Sequence, residues 1–446
     1  MRLAKLTSKT LLKTGFVLIS FAATSVAVAQ ENSPLSRFAV GDLVPATSIN
    51  LKSMGGVGTA ISDVQFVNLK NPAALAGNFL TTFDMGFNVA SRKLVSTGNP
   101  AKSSSVSANF DYLQIAFPIA SEKMRKRQTL WGLALGIKPF SHINYKISND
   151  KFLTGIDSLN TMYSGTGGLT DVNISTGLRI KNLNVGLTGG YTFGNNEYKT
   201  QLALYNNDST YYTQAGTSSQ MHMNGIFGGA GIQYAIPMKN KSSLTLGATY
   251  NLKRNLKLST ERLVVTNFTN DDRSTTNLDT ISYTRTSGGK MVIPSQYSVG
   301  FAYSDSSRIW TIAGDVDFAK WSQYRVNGAA EALRDNMVFH VGVQYYPLAV
   351  KKMRAKYFDA VKYRAGFYYG KDYVKYKNED RNILGFTLGA GFPLTSGRSA
   401  DWGVLNTGLE FGTRGNNSNF SFKENVARVS IGVAVNSQWF IKRKYN

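Results

Sequence analysis

The chain has 446 residues, a formal net charge of +23 and no cysteine, which excludes disulfide bonds and thiolate chemistry. Hydrophobic residues make up 42% of the chain and aromatic residues 12%, and the mean hydropathy is -0.19. That hydropathy is too low for a bundle of membrane helices. Abundant aromatic residues and glycines are instead typical of all-β chains that cross a membrane as a barrel.

Residues 1–29 have the pattern of a secretory signal peptide. Four basic residues precede an apolar run from Gly15 to Ala23, and Ala27-Val28-Ala29 follows. A basic start, a short apolar core and a small-residue end predict export, with cleavage after Ala29. Subtracting these four basic residues from +23 leaves +19. For an exported protein, this charge favours acidic lipid head groups or a protein partner, and we expect no nucleic acid.

Residues 30–81 do not alternate as a strand does, because glycines and prolines interrupt them. The sequence therefore predicts a compact hatch, or plug, that lies inside a barrel. The residues expected to fold this hatch are three glycines and one turn: Gly55, Gly56, Gly58, Asn71, Pro72 and Ala73.

From residue 82 to the end the chain alternates with period two. In the first strand candidate, 82–94, Phe83 and Phe87 are separated by polar or small residues such as Asp84. About fourteen such segments follow one another, each near the roughly ten residues that a tilted strand needs to cross a bilayer. The sequence thus predicts a closed transmembrane antiparallel β-barrel of about 14 strands over residues 82–446.

The third strand candidate, 128–147, contains Gly136, Lys138 and Pro139. Proline removes one hydrogen-bond donor from the ladder, and glycine weakens pairing. We therefore expect a kink or bulge in this strand.

Four charged residues fall on phases that face the lumen. Asp315 and Asp317 are two positions apart on one strand and so point the same way, and Glu410 and Arg428 share the inward phase of their strands. The two aspartates could act as an acid and base pair. A structural role, paired with arginines such as Arg428 or lining the pore, is the stronger expectation.

The connections predict which barrel end faces outward. One set is mostly short and basic, at 123–127, 181, 239–241, 351–356, 398 and 442–444. The other set is mostly longer and polar, at 149–166, 204–216, 266–278 and 323–333. Short turns should face the periplasm. The basic turns are either solvated faces or contacts for acidic lipids or a periplasmic or membrane protein partner.

No catalytic or cofactor motif is present. His142, His222 and His340 have no second ligand at metal-binding spacing, and there is no Gly-x-Ser-x-Gly elbow. The glycines from Gly55 onward lack the third glycine of a dinucleotide loop, with Ile61 at that position. We expect no enzyme, metal or cofactor.

Seven motifs together resemble the outer-membrane long-chain fatty acid transporter family (FadL), in its Bacteroidetes-type branch. They are Ser36-Arg37-Phe38, Gly41-Asp42-Leu43, Met54 to Ala60, Asn71-Pro72-Ala73, Ile293 to Gly300, Gly314 to Phe318 with Lys320-Trp321-Ser322, and Trp439 to Lys444. The resemblance implies an outer-membrane location and uptake of long-chain fatty acids or other hydrophobic molecules. It also implies gating by the hatch and lateral exit at the kinked third strand.

A second function on the same fold stays open. Relatives of this family include the outer-membrane shuttle of the type IX secretion system, so the chain could be an interaction or accessory subunit of an outer-membrane complex, for example a barrel-assembly-associated one. The basic periplasmic rim suits that role. A general porin is disfavoured because a plug precedes the barrel.

Overall fold

The structure is a computed structural model and describes residues 33–96, 102–119, 129–153, 156–205, 213–269, 275–349, 356–375, 381–394, 402–415 and 422–437. The predicted signal peptide, 1–29, lies outside the described residues. So do the basic stretches 123–127, 351–355 and 442–444, and Arg398.

Fourteen antiparallel strands form a closed barrel, as predicted. The strands are β1 (Thr81–Ser96), β2 (Lys102–Ile119), β3 (Thr129–Leu153), β4 (Ile156–Ile180), β5 (Leu183–Tyr205), β6 (Gln214–Pro237), β7 (Ser243–Asn251 and Arg254–Thr269), β8 (Thr275–Ile293 and Gln296–Ser304), β9 (Trp310–Ala319), β10 (Asn336–Tyr345), β11 (Lys362–Lys371), β12 (Asn382–Pro393), β13 (Trp402–Arg414) and β14 (Phe422–Ser437).

The barrel closes where β14 pairs with β1, from Ser437 opposite Thr81 to Phe422 opposite Ser96. Strands β7 and β8 each consist of two segments, interrupted at 252–253 and 294–295, and pair with each other along both segments. Because the number of strands is even, the start of β1 and the end of β14 lie at the same end of the barrel. The short turns at 181–182 and 238–242 lie at this end too.

The strands β3 to β6 are longer than predicted from the sequence. They contain 25, 25, 23 and 24 residues, more than the roughly ten that cross a bilayer. The expected loop 149–166 is mostly strand, with Lys151 opposite Leu159 in the β3–β4 ladder. The expected loop 266–278 is also strand apart from the undescribed residues 270–274. Threonine, asparagine and tyrosine here continue the alternation, so pairing extends beyond the membrane.

The alternation of side chains is confirmed. Phe87 and Val89 on β1 are each 48% exposed, whereas Asp84 on the opposite phase is 1% exposed. Similar exposed apolar residues recur on every side of the barrel, as on β5, β10 and β14 with Leu187, Val341 and Ile431. An apolar outer face around a closed sheet is what a membrane-spanning barrel presents to lipid.

The helices are short. The α-helix is α1 (Ile49–Lys52), and the 3-10 turns are Pro34–Arg37, Pro72–Gly77, Trp321–Gln323, Pro347–Ala349 and Tyr357–Ala360. In the ranges that the structure describes, no helix has the length and apolar character needed to cross a membrane. Three two-residue strands in the same ranges are not part of the fourteen wall strands: Asp42–Leu43, Arg325–Val326 and Ala329–Ala330.

Candidate functional site in the lumen and wall

Residues 33–80 lie inside the barrel, and we call them the lumen segment. Ile49, Leu51 and Val57 in its middle part are fully buried. An apolar cluster joins this part to Ala302 of β8 and Ala313 of β9. The lumen segment therefore packs directly against the inner wall, and it contains all six residues that the sequence placed in the hatch.

Asn71 folds the turn that the sequence predicted. Its side-chain oxygen accepts a hydrogen bond from the Ala73 amide at 3.0 Å and caps the 3-10 turn that Pro72 begins. Its side-chain nitrogen donates to the carbonyl of Thr59 at 2.6 Å and to that of Ile232 in β6 at 3.2 Å. One side chain thus holds the turn together and fixes it to the wall.

Glycines on the inner wall allow this close approach, and we call them the glycine ring. In each of them an added Cβ would overlap an atom of the lumen segment. They are Gly132, Gly177, Gly186, Gly231, Gly247, Gly342, Gly366 and Gly389, on β3 to β7 and β10 to β12. Only a residue without Cβ lets atoms of the lumen segment approach the wall backbone this closely. The lumen segment therefore lies directly against eight of the fourteen strands at this level.

The three predicted hatch glycines lie where the lumen segment contacts the wall. Gly55 and Gly56 have positive φ angles of 73° and 86°, which glycine adopts without strain. A Cβ on Gly55 would lie 2.7 Å from the carbonyls of Val341 and Phe367. Gly58 donates its amide to Asp315 Oδ2 at 2.7 Å.

Asp315 and Asp317 pair with Lys70 of the lumen segment, and the expectation that Arg428 pairs with them is wrong. The Lys70 Nζ lies 3.0 Å from Asp315 and 2.8 Å from Asp317. Burial alone would lower the pKa of Lys70, but the carboxylates of Asp317 and Asp315 outweigh burial and raise that pKa above its usual 10.5. His340 lies 3.2 Å from Asp317.

Arg428 pairs instead with Glu410, at 2.7 Å across the β13–β14 ladder. The Tyr368 hydroxyl donates to Glu410 at 2.8 Å. All four predicted lumen charges line the interior, but they form two separate clusters. The sequence missed Lys70 and His340 as partners, because they come from other parts of the chain.

The barrel wall is interrupted between β2 and β3. These strands pair only from Leu113 opposite Ile137 to Ile119 opposite Trp131. Beyond Ile137, β3 pairs with β4 through a bulge between Pro139 and Ser141, and no ladder joins it to β2 within the described residues. We call this interruption the wall gap. It begins at the place where the sequence predicted a kink.

The other two predicted kink residues lie beside the wall gap. A Cβ on Gly136 would overlap the side-chain amide of Gln114 on β2. Lys138 points inward, with its Nζ 3.5 Å from Asp171 of β4. Asp171 also accepts from Arg254 at 2.8 Å. Asp171 and Arg254 are not among the site residues predicted from the sequence, although Asp171 lies on the inward phase of β4.

The first part of the lumen segment, residues 33–44, covers the edge of β3 that β2 leaves. We call it the strap. Asp42 lies opposite His142 and Leu43 opposite Ser141 in a short antiparallel pairing. The Val44 amide donates to Phe140 O at 3.0 Å. The strap therefore replaces β2 as the hydrogen-bonding neighbour of β3 here.

Asp42 fixes the strap to the rest of the wall. Its carboxylate pairs with Arg92 of β1 at 3.0 Å and with Arg414 of β13. Arg414 also pairs with Asp372 at 2.6 Å. Burial alone would raise the pKa of Asp42, but Arg414 and Arg92 outweigh it and hold that pKa below its usual value. The strap is thus held in place by backbone pairing and by buried charge.

The outer mouth of the barrel is filled by an apolar cluster, which we call the cap. Leu35 and Val40 of the strap pack there with Trp321, Tyr324 and Tyr373 from the β9–β10 and β11–β12 connections. A cavity of about 420 Å³ remains, and both the lumen segment and the wall line it. Among the residues described, no group of three or more histidines or carboxylates could hold a metal ion.

Several solved structures share this architecture. The Pseudomonas putida toluene transporter TodX is 14% identical, with a TM-score of 0.57, and the match covers 90% of this chain and 100% of that one. The Ralstonia pickettii toluene transporter TbuX is 16% identical and a Pseudomonas aeruginosa FadL homologue 12% identical. Each has a TM-score of 0.55, over 90% of this chain and 100% of theirs.

These proteins are transporters, or a homologue of one, rather than enzymes, and they show that the chain has the FadL-type barrel fold, as the resemblance implied. The Bacteroidetes-type branch stays a prediction. A search of curated proteins found no match to this sequence. The family model described as BamG matches residues 11–446, nearly the whole chain. The chain therefore belongs to the BamG family.

Proposed function

We propose that the protein is an outer-membrane channel that takes up hydrophobic molecules, long-chain fatty acids among them, and releases them sideways through the wall gap. The observation that carries this proposal is the loss of β2–β3 pairing beyond Ile137. The signal pattern of residues 1–29 supports export, and the apolar outer face of the barrel supports the membrane location.

The close contact between the lumen segment and the wall supports a lateral route. At the glycine ring the lumen segment touches the wall backbone, and Lys70 joins it to two carboxylates of β9. A molecule in the cavity would have to displace these contacts to reach the periplasm. A lateral exit favours apolar molecules, since each methylene that stays out of water gains about 0.8 kcal/mol.

In this proposal the strap is the part that moves. It contacts β3 through a few backbone bonds and is tied by the Asp42 ion pairs. The residues from Gly55 to Ala73 stay in place as a seal, because the glycine ring encloses them. Strap movement would uncover the edge of β3 and open the cavity to the membrane.

A disulfide that fixes the strap to β3 tests this proposal. Val44 donates to Phe140 O, so the next pair, Leu43 and Ser141, is a pair without hydrogen bonds between its two residues, with Cα atoms about 4.5 Å apart. That spacing suits a disulfide, and the chain has no other cysteine. The variant Leu43→Cys/Ser141→Cys should lose uptake of a fluorescent acyl probe when oxidised and regain it with dithiothreitol.

The control is Leu409→Cys/Val429→Cys, which links neighbouring wall positions on β13 and β14 and leaves the strap free. Its uptake should be the same in both redox states. Equal uptake by the oxidised and reduced strap variant would show that the strap does not gate this route.

A second candidate function is that of an accessory subunit of an outer-membrane complex. The crowded lumen favours it, because the cap packs in the mouth and the lumen segment packs against the wall in the middle. Native mass spectrometry of gently extracted protein separates the two functions. A bound acyl chain on a monomer supports the channel, and a stoichiometric protein partner without ligand supports the subunit.

A further inference from the structure

We infer that the outer face of strands β3 to β8 binds one anionic phospholipid of the periplasmic leaflet. Its acyl chains lie in a groove of about 990 Å³ in the wall, and its phosphate lies at the lysines of two short turns. We call this depression the outer groove. The inference goes beyond the proposed function, because a bound membrane lipid does not depend on transport.

Small side chains on two neighbouring strands form the floor of the outer groove. Ala230 of β6 is opposite Tyr250 of β7, and Ala248 of β7 is opposite Ile232 of β6. Tyr250 and Ile232 are exposed, and residues directly opposite share a face, so both alanines face outward. Larger side chains surround this floor: Trp131, Leu178, Leu187, Tyr250, Tyr297 and Val299. The alanines therefore leave a depression between them.

The outer groove is almost wholly apolar. Leu187 and Val299 on its sides are 62% and 57% exposed. Trp131 donates its indole N–H to the Thr176 hydroxyl at 2.6 Å, so the polar atom of this side chain already has a partner. An acyl chain needs no hydrogen bonds and fills such a surface by apolar contact. The groove therefore suits lipid tails and not a polar ligand.

Exposed lysines lie below the outer groove, at the barrel end with the short turns. Lys181 lies in the β4–β5 turn, and Lys239 and Lys241 lie in the β6–β7 turn. The two turns contain no acidic residue, and none of these lysines forms an ion pair with a described residue. Leu178 of the groove precedes Lys181 in the chain by a distance of about 10 Å, at roughly 3.3 Å per residue. The ammonium groups are thus placed as a lipid head group is placed relative to its tails.

Charge and depth together select the occupant. The turns 181–182 and 238–242 lie at the end that the sequence assigns to the periplasm, so lipids of the other leaflet have their head groups at the opposite end. Two strand spacings, about 10 Å, separate the two turns, so one phosphate between them is within reach of lysines from both. Lysines attract a head group with a net negative charge more strongly than a zwitterionic one, in which an ammonium group offsets the phosphate.

Native mass spectrometry of the mature protein, delipidated by detergent exchange and given one lipid at a time, tests this inference. The probes are dioleoyl phosphatidylglycerol and dioleoyl phosphatidylethanolamine, which have the same acyl chains and differ in head-group charge. We expect phosphatidylglycerol to bind at one site, about tenfold more tightly than phosphatidylethanolamine. Lys181→Gln/Lys239→Gln/Lys241→Gln should lose this preference. Ala230→Leu/Ala248→Leu, which fills the groove, should weaken the binding of both lipids.

Each variant has a matched control. Lys253→Gln/Lys257→Gln/Lys290→Gln removes the same charge from exposed lysines away from the two turns and should keep the preference. Ala365→Leu adds bulk on β11, opposite the exposed Leu388, and should leave both affinities unchanged. Heat-modified gel mobility checks that each variant is folded.

Four outcomes would overturn the inference. Equal affinity for the two lipids would show that bulk lipid alone fills the groove. Equal effects of the two lysine variants would show attraction by net charge and not by the turns. Unchanged binding by Ala230→Leu/Ala248→Leu would place the lipid elsewhere. A protein that stays bound to the gently extracted wild type and is lost from that groove variant would show that the groove seats a protein. None of these measurements involves uptake, so the strap disulfide can fail while this result stands.

Discussion

Lys70 of the lumen segment donates to Asp315 of β9 at 3.0 Å, joining two residues that are 245 positions apart in the chain. The same carboxylate oxygen accepts from the amides of Gly58 and Thr59. One buried acid therefore neutralises a buried cation and satisfies the backbone of the predicted hatch turn. This contact fixes the lumen segment at β9, between β7 and β10, where the glycine ring has no member.

The variant Asp315→Asn should destabilise the folded barrel by about 3 kcal/mol, because it leaves Lys70 with one carboxylate and weakens two amide contacts. Urea unfolding in detergent measures this free energy. The matched control is Glu261→Gln, which removes an exposed pair with Arg285 at 3.4 Å and should change stability by less than about 1 kcal/mol. Equal effects of the two variants would contradict the anchoring role of Asp315.

The contribution of the Lys70 ion pairs to the stability of the folded barrel should be lost at high pH. Its pKa is raised in the folded protein above the usual 10.5, so the stabilisation is fully present below pH 10.5 and declines as pH rises through the folded pKa. The difference in melting temperature between wild type and Lys70→Met should therefore shrink above pH 10.5. The control Lys199→Met removes a half-exposed ammonium and should differ little from wild type at any pH. A Lys70→Met difference that stays constant across this range would exclude the linkage.

Two glycines on β5 should respond differently to the same change. Gly186 faces Ala73 and Pro72 of the lumen segment, where a methyl group would overlap backbone atoms. Gly186→Ala should lower stability by about 2 kcal/mol, since overpacking forces the backbone to shift. A Cβ at Gly189 would find its nearest neighbour at 3.9 Å, so Gly189→Ala should be neutral. Unfolding in urea compares the two, and equal stability would mean that the lumen segment is not tightly enclosed.

Removing the charge of Asp42 should loosen the strap. Asp42→Asn keeps the backbone pairing with β3 but loses the ion pairs with Arg92 and Arg414. If local opening becomes about 1.4 kcal/mol easier, trypsin should cleave after the exposed Arg37 about tenfold faster. Mass spectrometry of the new N-terminus measures the rate. The control is Asp279→Asn, on the exposed part of β8. If this variant accelerates cleavage after Arg37 equally, the effect is not local to the strap.

The bulge at Pro139 should be needed for the wall gap. In Pro139→Val, valine has the backbone N–H group that proline lacks. Strand β3 can then straighten and pair further with β2. Uptake of the acyl probe should then fall, although the barrel still folds. Pro237→Val, at the end of β6, is the control for loss of a wall proline. Unchanged uptake with a straightened β3 would exclude this exit.

Much of the barrel could be predicted from the sequence because strand alternation is a local property. Successive side chains point to opposite faces, so Phe87 and Asp84 could be assigned to the outer and inner faces without knowing their neighbours. The same rule placed Glu410 and Arg428 on the inner face, and the missing donor of Pro139 predicted an irregular strand. The turn at Asn71 and Pro72 could also be predicted, because turn preferences depend on residues that are adjacent in the sequence.

Partners between distant residues could not be predicted in this way. The sequence contains 42 glycines, but only the register of the strands decides that Gly186 and Gly366 meet the lumen segment while Gly189 does not. Lys70 pairs with Asp315 because the lumen segment crosses β9 at that position, and the sequence does not give this crossing point. The length of β3 and β4 was also missed, since polar residues such as Thr161 pair as well as apolar ones once a hairpin has formed.

The sequence by itself determined that this chain is a barrel with an irregular segment before it, because period-two alternation and proline or glycine chemistry act within a few residues. Only the tertiary structure decided that the segment packs against the inner wall, that the strap covers β3 and that the described parts of β2 and β3 separate beyond Ile137. The physical reason is that these features depend on strand register and on backbone hydrogen bonds between residues far apart in sequence.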